Sequence, residues 1–228
     1  MTVHLLENQV HSPGLVIELH YLPCIEFFTC LLQFEEIHLE TRELYVKQTY
    51  RNRCHVLTAN KVDRLTVPVL HSGGKQVMGE VRIDYSQGWE RTHWGCLQSA
   101  YGKSPFFEYY ADELKAVYKN KPAYLCELNY ALLSLCLKFL GIKKTLAYTL
   151  SYQPHVKKAL FDARSLINDK KGKDNFIFYK KVPYYQTFGN DFVPNLSIID
   201  LLFNKGPEAR QILAQSTVPA YKGQLNKA

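Results

Sequence analysis

The start of the chain joins a short apolar run to a helical run through a polar turn, and this pairing restricts the fold more than any other feature. Residues 15–19 (LVIEL) are almost wholly apolar, which is typical of a strand in the centre of a sheet. The turn contains His20 and Tyr21, and Pro23 then begins a helical run to about residue 32. A strand that turns directly into a helix is typical of α/β folds, which place ligands at such turns.

The same alternation of strand and helix patterns continues along the chain. Further strands are predicted at residues 37–40, 54–57, 65–70, 81–84, 145–150 and 176–179. Helices are predicted at residues 89–101, 106–118, 122–140, 156–167, 196–203 and 207–213. Gly102 and Gly141 are expected to end the first and third of these helices, where a positive φ is favoured, and Asn195 is expected to cap the fifth. We therefore expect a single α/β domain over residues 1–228, with a mixed β-sheet, helices on both sides of it and a frayed tail after about residue 217.

Charge and hydropathy narrow the class of partner. The chain has 28 lysines and arginines against 21 acidic residues, a net charge of +7. This balance favours an anionic partner, and we expect a small molecule that carries phosphate or sugar, with no nucleic acid. The most apolar run, residues 124–140, is too short and too polar to span a bilayer, which leaves only peripheral membrane contact open. No signal peptide is recognisable at the start, so we expect a cytoplasmic protein.

The six cysteines follow no metal or redox motif. No pair has the C-x-x-C spacing, and no two histidines have the interval of a helical zinc site. We expect reduced, structural thiols and no metal, and the sequence predicts no particular cofactor. Cys24 stands at the start of a predicted helix, where the helix dipole lowers a thiol pKa, so thiol catalysis stays open as an alternative.

The stretch from residue 84 to residue 110 is the richest in aromatic and polar side chains and holds both tryptophans. His93 lies on the apolar face of the helix predicted there, and Tyr101 and Lys103 stand where that helix meets the next. His93 has two interpretations: a core histidine with a bonded ring nitrogen, or a general acid/base with a pKa near neutrality.

A second polar stretch contains several cations. Lys47, Arg51, Asn52 and Arg53 place three positive charges and an amide within seven residues, interleaved with tyrosine and threonine. Such a set can hold a phosphate or carboxylate, and arginine can do so with two parallel hydrogen bonds. We predict that Lys47, Asn52 and Arg53 bind an anionic group of the ligand, and the alternative is a solvated, charged turn.

Several of these stretches, taken in order, resemble the WbqC-like protein family. They are residues 20–28 (HYLPCIEFF), 47–53 (KQTYRNR), 65–69 (LTVPV), 81–110 and 192–208 (FVPNLSIIDLLFNKGPE). The resemblance extends from about residue 15 to about residue 208. In many members the first motif resembles QPxYLPWxGYF, whereas here Cys24 stands for the tryptophan and Glu26 for the glycine.

The resemblance implies a bacterial, cytoplasmic protein that acts in the assembly of lipopolysaccharide O-antigen side chains. On that basis we expect a transferase for a sugar or nucleotide-sugar precursor, with aminoacyl (glycyl) transfer as one form. Two alternatives stay open. One is a non-catalytic scaffold that binds an anion, and the other is a nucleotidyltransferase-like enzyme that holds ATP phosphates at the helix N-terminus after His20. The resemblance supplies no catalytic residues.

We predict that the first turn, the basic loop and the long motif together build one pocket, because each places polar groups at the end of an apolar element. The residues expected to open on it are His20, Tyr21, Arg53, His93, Tyr101 and Lys103. Of these, His20, His93 and Tyr101 are the candidates for catalysis, and Tyr21 and Lys103 for substrate binding. His93 is the preferred general acid/base because it lies in the longer motif.

Overall fold

The computed structural model describes residues 14–71, 73–157, 159–168 and 175–220. The strands in these residues are β1 (Gly14–Glu18), β2 (Glu36–Glu40), β3 (Arg53–Leu57), β4 (Val62–Thr66), β5 (Thr145–Tyr148) and β6 (Leu160–Asp162). The α-helices are α1 (Ile25–Leu31), α2 (Trp89–Tyr101), α3 (Phe107–Lys119), α4 (Leu125–Phe139), α5 (Ile198–Lys205) and α6 (Ala209–Ser216). The tail predicted to fray after residue 217 lies mainly in residues 221–228, outside the described part.

Four of the strands form a parallel sheet in the order β5-β2-β1-β6. Every residue of β1 is buried, and Leu15 and Ile17 have no exposed surface. A strand with parallel partners on both sides is covered on both faces, which explains its nearly continuous apolar sequence. The position of the first strand in the centre of the sheet is confirmed.

The other two strands, β3 and β4, form a separate antiparallel hairpin. Its register runs from Arg53 opposite Thr66 to Leu57 opposite Val62. At the turn, Thr58 and Lys61 are joined by a backbone hydrogen bond of 2.9 Å from the Thr58 N–H to the Lys61 carbonyl. The α/β prediction, with both parallel and antiparallel strand pairs, is therefore confirmed.

The helices cover the sheet and the hairpin with their apolar faces. The helix α4 is the longest at 15 residues, and its buried side includes Leu128, Leu132 and Cys136. It packs against α3, and α2 packs against the hairpin strand β3. The buried residues of these helices and of β1 belong to a single hydrophobic cluster. Within the described residues, no helix is long and apolar enough to cross a membrane.

The helix predicted at residues 156–167 is wrong. Residues 160–162 form the edge strand β6, which pairs with β1. Pairing is close because Gly14 has no side chain: a Cβ there would lie 2.7 Å from the Leu160 side chain. Phe161 is buried against Phe34, with ring centroids 5.4 Å apart. The tertiary contact with β1 therefore overrides the helical spacing of the apolar residues.

Four predicted strands are shorter than expected or lost. The strand expected at residues 145–150 ends at Tyr148, and the strand expected at residues 81–84 is reduced to isolated bridges at Arg82 and Ile83. The strand expected at residues 65–70 ends at Thr66, because Pro68 lacks the N–H that would continue the ladder. In place of the strand expected at residues 176–179, the described residues show an isolated bridge between Tyr179 and Thr217. Both segments still run close to the core, and Val67 and Phe178 have no exposed surface.

Two glycines predicted to end helices do so in different ways. Gly141 follows α4 with a φ of 62°, the left-handed conformation expected after a helix. Gly102 has a φ of −59°, so the predicted positive φ is wrong there. A Cβ at Gly102 would lie 2.5 Å from the carbonyl oxygen of Gln98, and glycine is required for that close approach instead.

Candidate functional site

A crevice opens at the carboxyl end of the parallel sheet, between β1 and β6. From β1 the chain passes to β2 on one side, and after β5 it returns to β6 on the other side. Open α/β sheets bind ligands where the strand order reverses in this way. The crevice has a volume of about 230 Å³ and is lined by Glu18 and His20 at the end of β1, by Ser165, Ile167 and Asn168 after β6, and by Val46 and residues 48–51.

A buried ion-pair cluster forms one wall of the crevice. Arg51 is 4% exposed, and its guanidinium lies 2.6 Å from Oε1 of Glu43 and 3.5 Å from Oε1 of Glu18. Both oxygens of Glu18 also accept the backbone N–H of Ser165, at 3.0 and 3.1 Å. Burial raises the pKa of the Glu18 carboxyl, but the His20 hydrogen bond and the charge of Arg51 outweigh it, so the pKa lies below its usual value.

His20 stands against this cluster and is 1% exposed. Its Nε2 lies 3.7 Å from Oε1 of Glu18, and its ring packs between Phe27 and Tyr50 with centroid distances of 5.0 and 5.4 Å. Nδ1 has no hydrogen-bond partner in the described part of the chain. Burial lowers the pKa of His20 below its usual value, although Glu18 raises it. The ring is therefore neutral at pH 7.

The carboxylate of Glu18 also determines which nitrogen of His20 carries the proton. A carboxylate beside Nε2 favours a proton on Nε2, and the lone pair then resides on Nδ1. Buried polar atoms are normally hydrogen-bonded, so an unpartnered nitrogen beside a cavity indicates a group that a ligand completes. A neutral imidazole oriented by a carboxylate is the arrangement of a general base.

A second set of ion pairs supports the end of the sheet behind the crevice. Glu40, at the end of β2, is 1% exposed and accepts a 2.8 Å hydrogen bond from the Thr149 hydroxyl. Its other oxygen lies 3.3 Å from Arg164, which also contacts Asp162 at 2.6 Å. The Asp162 hydrogen bond, together with the charge of Glu40, raises the pKa of Arg164. This network joins the ends of β2 and β6 and holds the crevice walls in place.

Two residues of the crevice wall have an unusual backbone conformation. Gln48 and Ser165 have φ values of 60° and 61°, although neither is glycine. Such conformations cost about 1–3 kcal/mol each and often occur at binding sites, where the surrounding structure maintains them. The left-handed turn at Ser165 directs its N–H to Glu18.

The N-terminus of α1 does not provide a phosphate site. The backbone N–H of Glu26 donates to Oδ1 of Asn195 at 2.8 Å, and that of Ile25 donates to the Leu196 carbonyl at 3.0 Å. Asn195, which was expected to cap the helix that follows it, thus caps α1, and Ser197 is the N-cap of α5. The alternative of a phosphate site at the turn after His20 is therefore not supported, because the amide groups of Glu26 and Ile25 are already bonded.

Cys24 is also unsuited to nucleophilic catalysis. It is 2% exposed, and burial raises its pKa to about 12, with a further contribution from Glu26. All six cysteines are free thiols. The desolvation of this buried thiol outweighs the helix dipole that was considered for it.

His93, the preferred general base from the sequence, lies in the core between α2 and the hairpin. It is 5% exposed, and its Nδ1 lies 2.9 Å from the hydroxyl of Tyr21. The ring also forms a hydrogen bond with the backbone of Thr66. Burial lowers its pKa to about 4, and the Thr66 bond and Glu90 only partly oppose this. The structure therefore corrects the catalytic prediction, and His93 is a neutral core histidine.

The two tyrosines predicted for the pocket are core residues as well. Tyr21 has no exposed surface, and its hydroxyl bonds both His93 and the Tyr118 hydroxyl, the latter at 2.6 Å. Tyr101 is 1% exposed and accepts the backbone N–H of Leu57 at 3.1 Å. Burial raises the pKa of both phenols well above the usual value. Neither is available for proton transfer, so the predictions for Tyr21 and Tyr101 are wrong.

The remaining predicted residues lie around the hairpin and at the surface. Asn52 is buried and donates a 3.0 Å hydrogen bond to the Val67 carbonyl, which is a structural use. Arg53 begins β3 and is half-buried, and Lys47 and Lys103 are exposed. None of these four lines the crevice, although Lys47 precedes its wall residue Gln48. Of His20, Arg53, His93 and Tyr101, only His20 lines the crevice, so the expected common pocket is not formed there.

Arg51 is the site residue that sequence reasoning did not select. It belonged to the recognised basic cluster, but nothing in its sequence position indicated that its side chain would be buried while that of Lys47 would be exposed. The described residues contain no group of three histidine, cysteine or acidic side chains that could hold a metal ion.

Comparison with known proteins gives a family but no activity. The sequence model of the WbqC-like protein family matches residues 19–170 and 159–212, which together cover most of the chain. The chain is similar to the uncharacterized protein Rv1507c of Mycobacterium tuberculosis, with 27% identity over 228 residues, covering 87% of this chain and 96% of the relative. No solved structure matches the chain significantly.

Proposed function

Because this chain belongs to the WbqC-like protein family, we propose that it is a transferase. Its substrate is a sugar or nucleotide-sugar precursor of a bacterial surface polysaccharide such as the O-antigen. The reacting group binds in the crevice between β1 and β6, and His20 acts there as the general base. The family resemblance supports the class of substrate. The unpartnered Nδ1 of the buried His20, beside a cavity at the reversal of the strand order, is the observation that carries the proposal.

The step follows from the tautomer of His20. An acceptor O–H or N–H in the crevice transfers its proton to Nδ1, and its oxygen or nitrogen forms a bond to the electrophilic carbon of the donor. The bond from that carbon to the leaving group breaks, and the leaving group takes the electron pair. Glu18 stabilises the imidazolium, which then returns the proton to the leaving group.

Arg51 supplies the positive partner for charge that develops in this step. Its Nε and one terminal nitrogen contact Glu43, and the side chain lines the crevice. The other terminal nitrogen has no partner among the described residues. This donor is held in place before the reaction and can contact a developing oxyanion without rearrangement.

The size and charge of the crevice limit what it holds. Its volume of about 230 Å³ lies below the range of about 300–1,000 Å³ common for ligand sites. Glu18 and Glu43 balance or exceed the single charge of Arg51, so the crevice has no excess of positive charge. We therefore place a neutral hydroxyl or amine of the acceptor in the crevice. Aminoacyl (glycyl) transfer also requires such an acceptor group. The anionic part of the precursor lies outside the crevice.

The experiment compares the two buried histidines. Purified protein is incubated with a panel of nucleotide sugars and sugar phosphates, with and without glycine as the second substrate, and product is followed by mass spectrometry. His20→Asn is expected to reduce turnover about 100-fold or more, because general base catalysis contributes about 10²–10⁴-fold. His93→Asn is the matched control and should retain turnover per folded molecule within about threefold.

The scaffold alternative is favoured by one observation, the net charge of +7, which suits anion binding without chemistry. It predicts binding of a member of the panel with no product in any combination. Equal turnover of His20→Asn and wild type would instead reject His20 as the base while leaving the transferase activity established.

A further inference from the structure

A second cavity lies on the surface at the beginning of α2, beside the end of α3. Its volume is about 590 Å³, more than twice that of the crevice, and it is open to solvent along one side. One wall consists of the rings of Tyr85, Trp94 and Tyr118. The two cavities share no lining residue, so a ligand in the second cavity is independent of the function proposed for the crevice. We name this second cavity the aromatic groove.

Four cations line the aromatic groove, namely Arg91, Lys115, Lys119 and Lys121. The one acidic side chain among its lining residues is Glu90, which contacts Lys121 at 3.1 Å. Counting formal charges, four positive and one negative leave an excess of three positive charges, in contrast to the crevice. A concave surface with such an excess concentrates multiply charged anions.

Two of these lysines are positioned by the aromatic wall. The ammonium of Lys115 lies 5.3 Å from the ring centroid of Trp94, and that of Lys121 lies 5.4 Å from the ring centroid of Tyr85. Tyr85 is itself stacked on Trp89, with ring centroids 5.7 Å apart, and its hydroxyl bonds the Pro122 carbonyl. The ring of Tyr85 is therefore fixed, and two of the rings in this cavity each have a lysine ammonium over the face.

The glycine in the middle of α2 also indicates a ligand. Gly95 is exposed and lines the groove, and a Cβ there would meet no atom within 4 Å. Glycine weakens a helix interior, and no neighbouring protein atom requires the missing side chain here. Glycine at this position therefore leaves room for a ligand to approach the helix backbone closely.

The turn before α2 lies beside Arg91, another cation of the aromatic groove. Gly88 has a φ of 59°, and a Cβ there would lie 2.8 Å from a terminal nitrogen of Arg91. The guanidinium of Arg91 thus rests over this turn, where the positive φ favours glycine. Arginine is the side chain that best matches phosphate oxygens in a fixed geometry.

We propose that the aromatic groove binds a nucleoside diphosphate group. The base lies on the ring wall above Gly95, and the two phosphates contact Arg91 and the lysines. Stacking on aromatic rings tolerates any base, and lysine and arginine supply the phosphate contacts. The volume of about 590 Å³ is within the range common for small-molecule sites. Inorganic phosphate alone would use the cations but leave the ring wall and the space over Gly95 empty.

Isothermal titration calorimetry with UDP, ADP and GDP tests the proposal, with pyrophosphate and uridine as the two halves of the ligand. At least one diphosphate is expected to bind at least tenfold more tightly than pyrophosphate and than uridine. Raising the salt concentration should weaken binding, because the phosphates contact exposed cations.

Gly95→Leu is the decisive variant. It fills the space over the helix and should weaken diphosphate binding at least tenfold, while the melting temperature stays equal or rises because leucine favours the helix. Arg91→Ala with Lys119→Ala should weaken binding comparably and remove most of its salt dependence. Lys103→Ala, an exposed lysine outside the groove, and His20→Asn in the crevice are the controls and should bind as the wild type does.

Three outcomes overturn the proposal. They are unchanged diphosphate affinity in a folded Gly95→Leu protein, pyrophosphate binding as tightly as every diphosphate, and tighter binding of a single-stranded oligonucleotide than of any mononucleotide. The last would assign the groove to a nucleic acid instead. None of these three outcomes affects the interpretation of the His20 turnover assay, so the proposals for the groove and for the crevice are tested independently.

Discussion

His20 and His93 are both buried, at 1% and 5% exposure, yet they are bonded in opposite ways. The Nδ1 of His93 is hydrogen-bonded to the hydroxyl of Tyr21, and the ring forms a further hydrogen bond with the backbone of Thr66. Neighbouring residues therefore satisfy its hydrogen-bonding atoms. His20 has a carboxylate near Nε2, and Nδ1 has no partner among the described residues. Burial lowers the pKa of both, so burial alone does not separate them.

For this reason we assign the proposed function by the hydrogen bonds that each histidine makes and not by its position in a conspicuous motif. A histidine whose two nitrogens are bonded contributes to stability, because each bond is lost on unfolding. A histidine with an unpartnered nitrogen beside a cavity contributes less to stability and is available to a ligand. The two regions around these residues should therefore respond differently to substitution.

The largest effect on stability is expected in the crevice wall, from Arg51→Met. The substitution leaves Glu18 and Glu43 buried without their cation, and breaking a buried ion pair in this way costs about 3–5 kcal/mol. Urea unfolding at pH 7 measures the change. Lys47→Met, an exposed residue of the same loop, is the control and should change stability by no more than about 0.5 kcal/mol. Similar stabilities of the two variants would show that the cluster is not the support we infer.

A smaller effect separates the two histidines themselves. His93→Asn should lower the free energy of unfolding by about 1–3 kcal/mol, because Tyr21 and Thr66 lose a buried partner. His20→Asn should lower it by no more than about 1 kcal/mol, because one of its nitrogens has no bond to lose. Denaturant unfolding of both variants under identical conditions gives the comparison. A larger loss for His20→Asn would reverse the assignment of structural and functional histidine.

A third effect is the pH dependence of stability that His93 contributes. Its folded-state pKa of about 4 lies below the usual 6.5, so the unfolded chain takes up the proton first as the pH falls. The stability that His93 contributes is thus complete above pH 6.5 and is lost between pH 6.5 and about 4, by at most about 1.4 kcal/mol per pH unit.

Unfolding of wild type and His93→Gln at pH 7, 6, 5 and 4.5 tests this slope. The variant cannot take up that proton, so its stability should fall less steeply over the same range. His20 is unchanged in both proteins, and its own contribution cancels in the comparison. Parallel curves for the two proteins would mean that His93 is charged in the folded state or exposed to solvent.

Much of the architecture was predictable, because the patterns that determine it are local. The central strand at residues 15–19 was recognised from its uninterrupted apolar run, and β1 proves to be buried on both faces. Helices α2, α3 and α4 were recognised from the spacing of their apolar residues and from the glycine after α4. The strand β6 was not, because its apolar spacing also fits a helix and only the pairing with β1 selects the extended form.

The residues alone selected the cations, the histidines and the turn after β1 as candidates for the site. Only the tertiary structure determined which side chains have their polar atoms hydrogen-bonded by neighbouring residues and which lie beside a cavity with an unpartnered atom. That depends on contacts between residues far apart in the chain, such as His93 with Tyr21 and Arg51 with Glu18. Residue type and spacing define the chemistry that a side chain can perform. Whether its polar atoms are already hydrogen-bonded depends on the packing of segments that are distant in the chain.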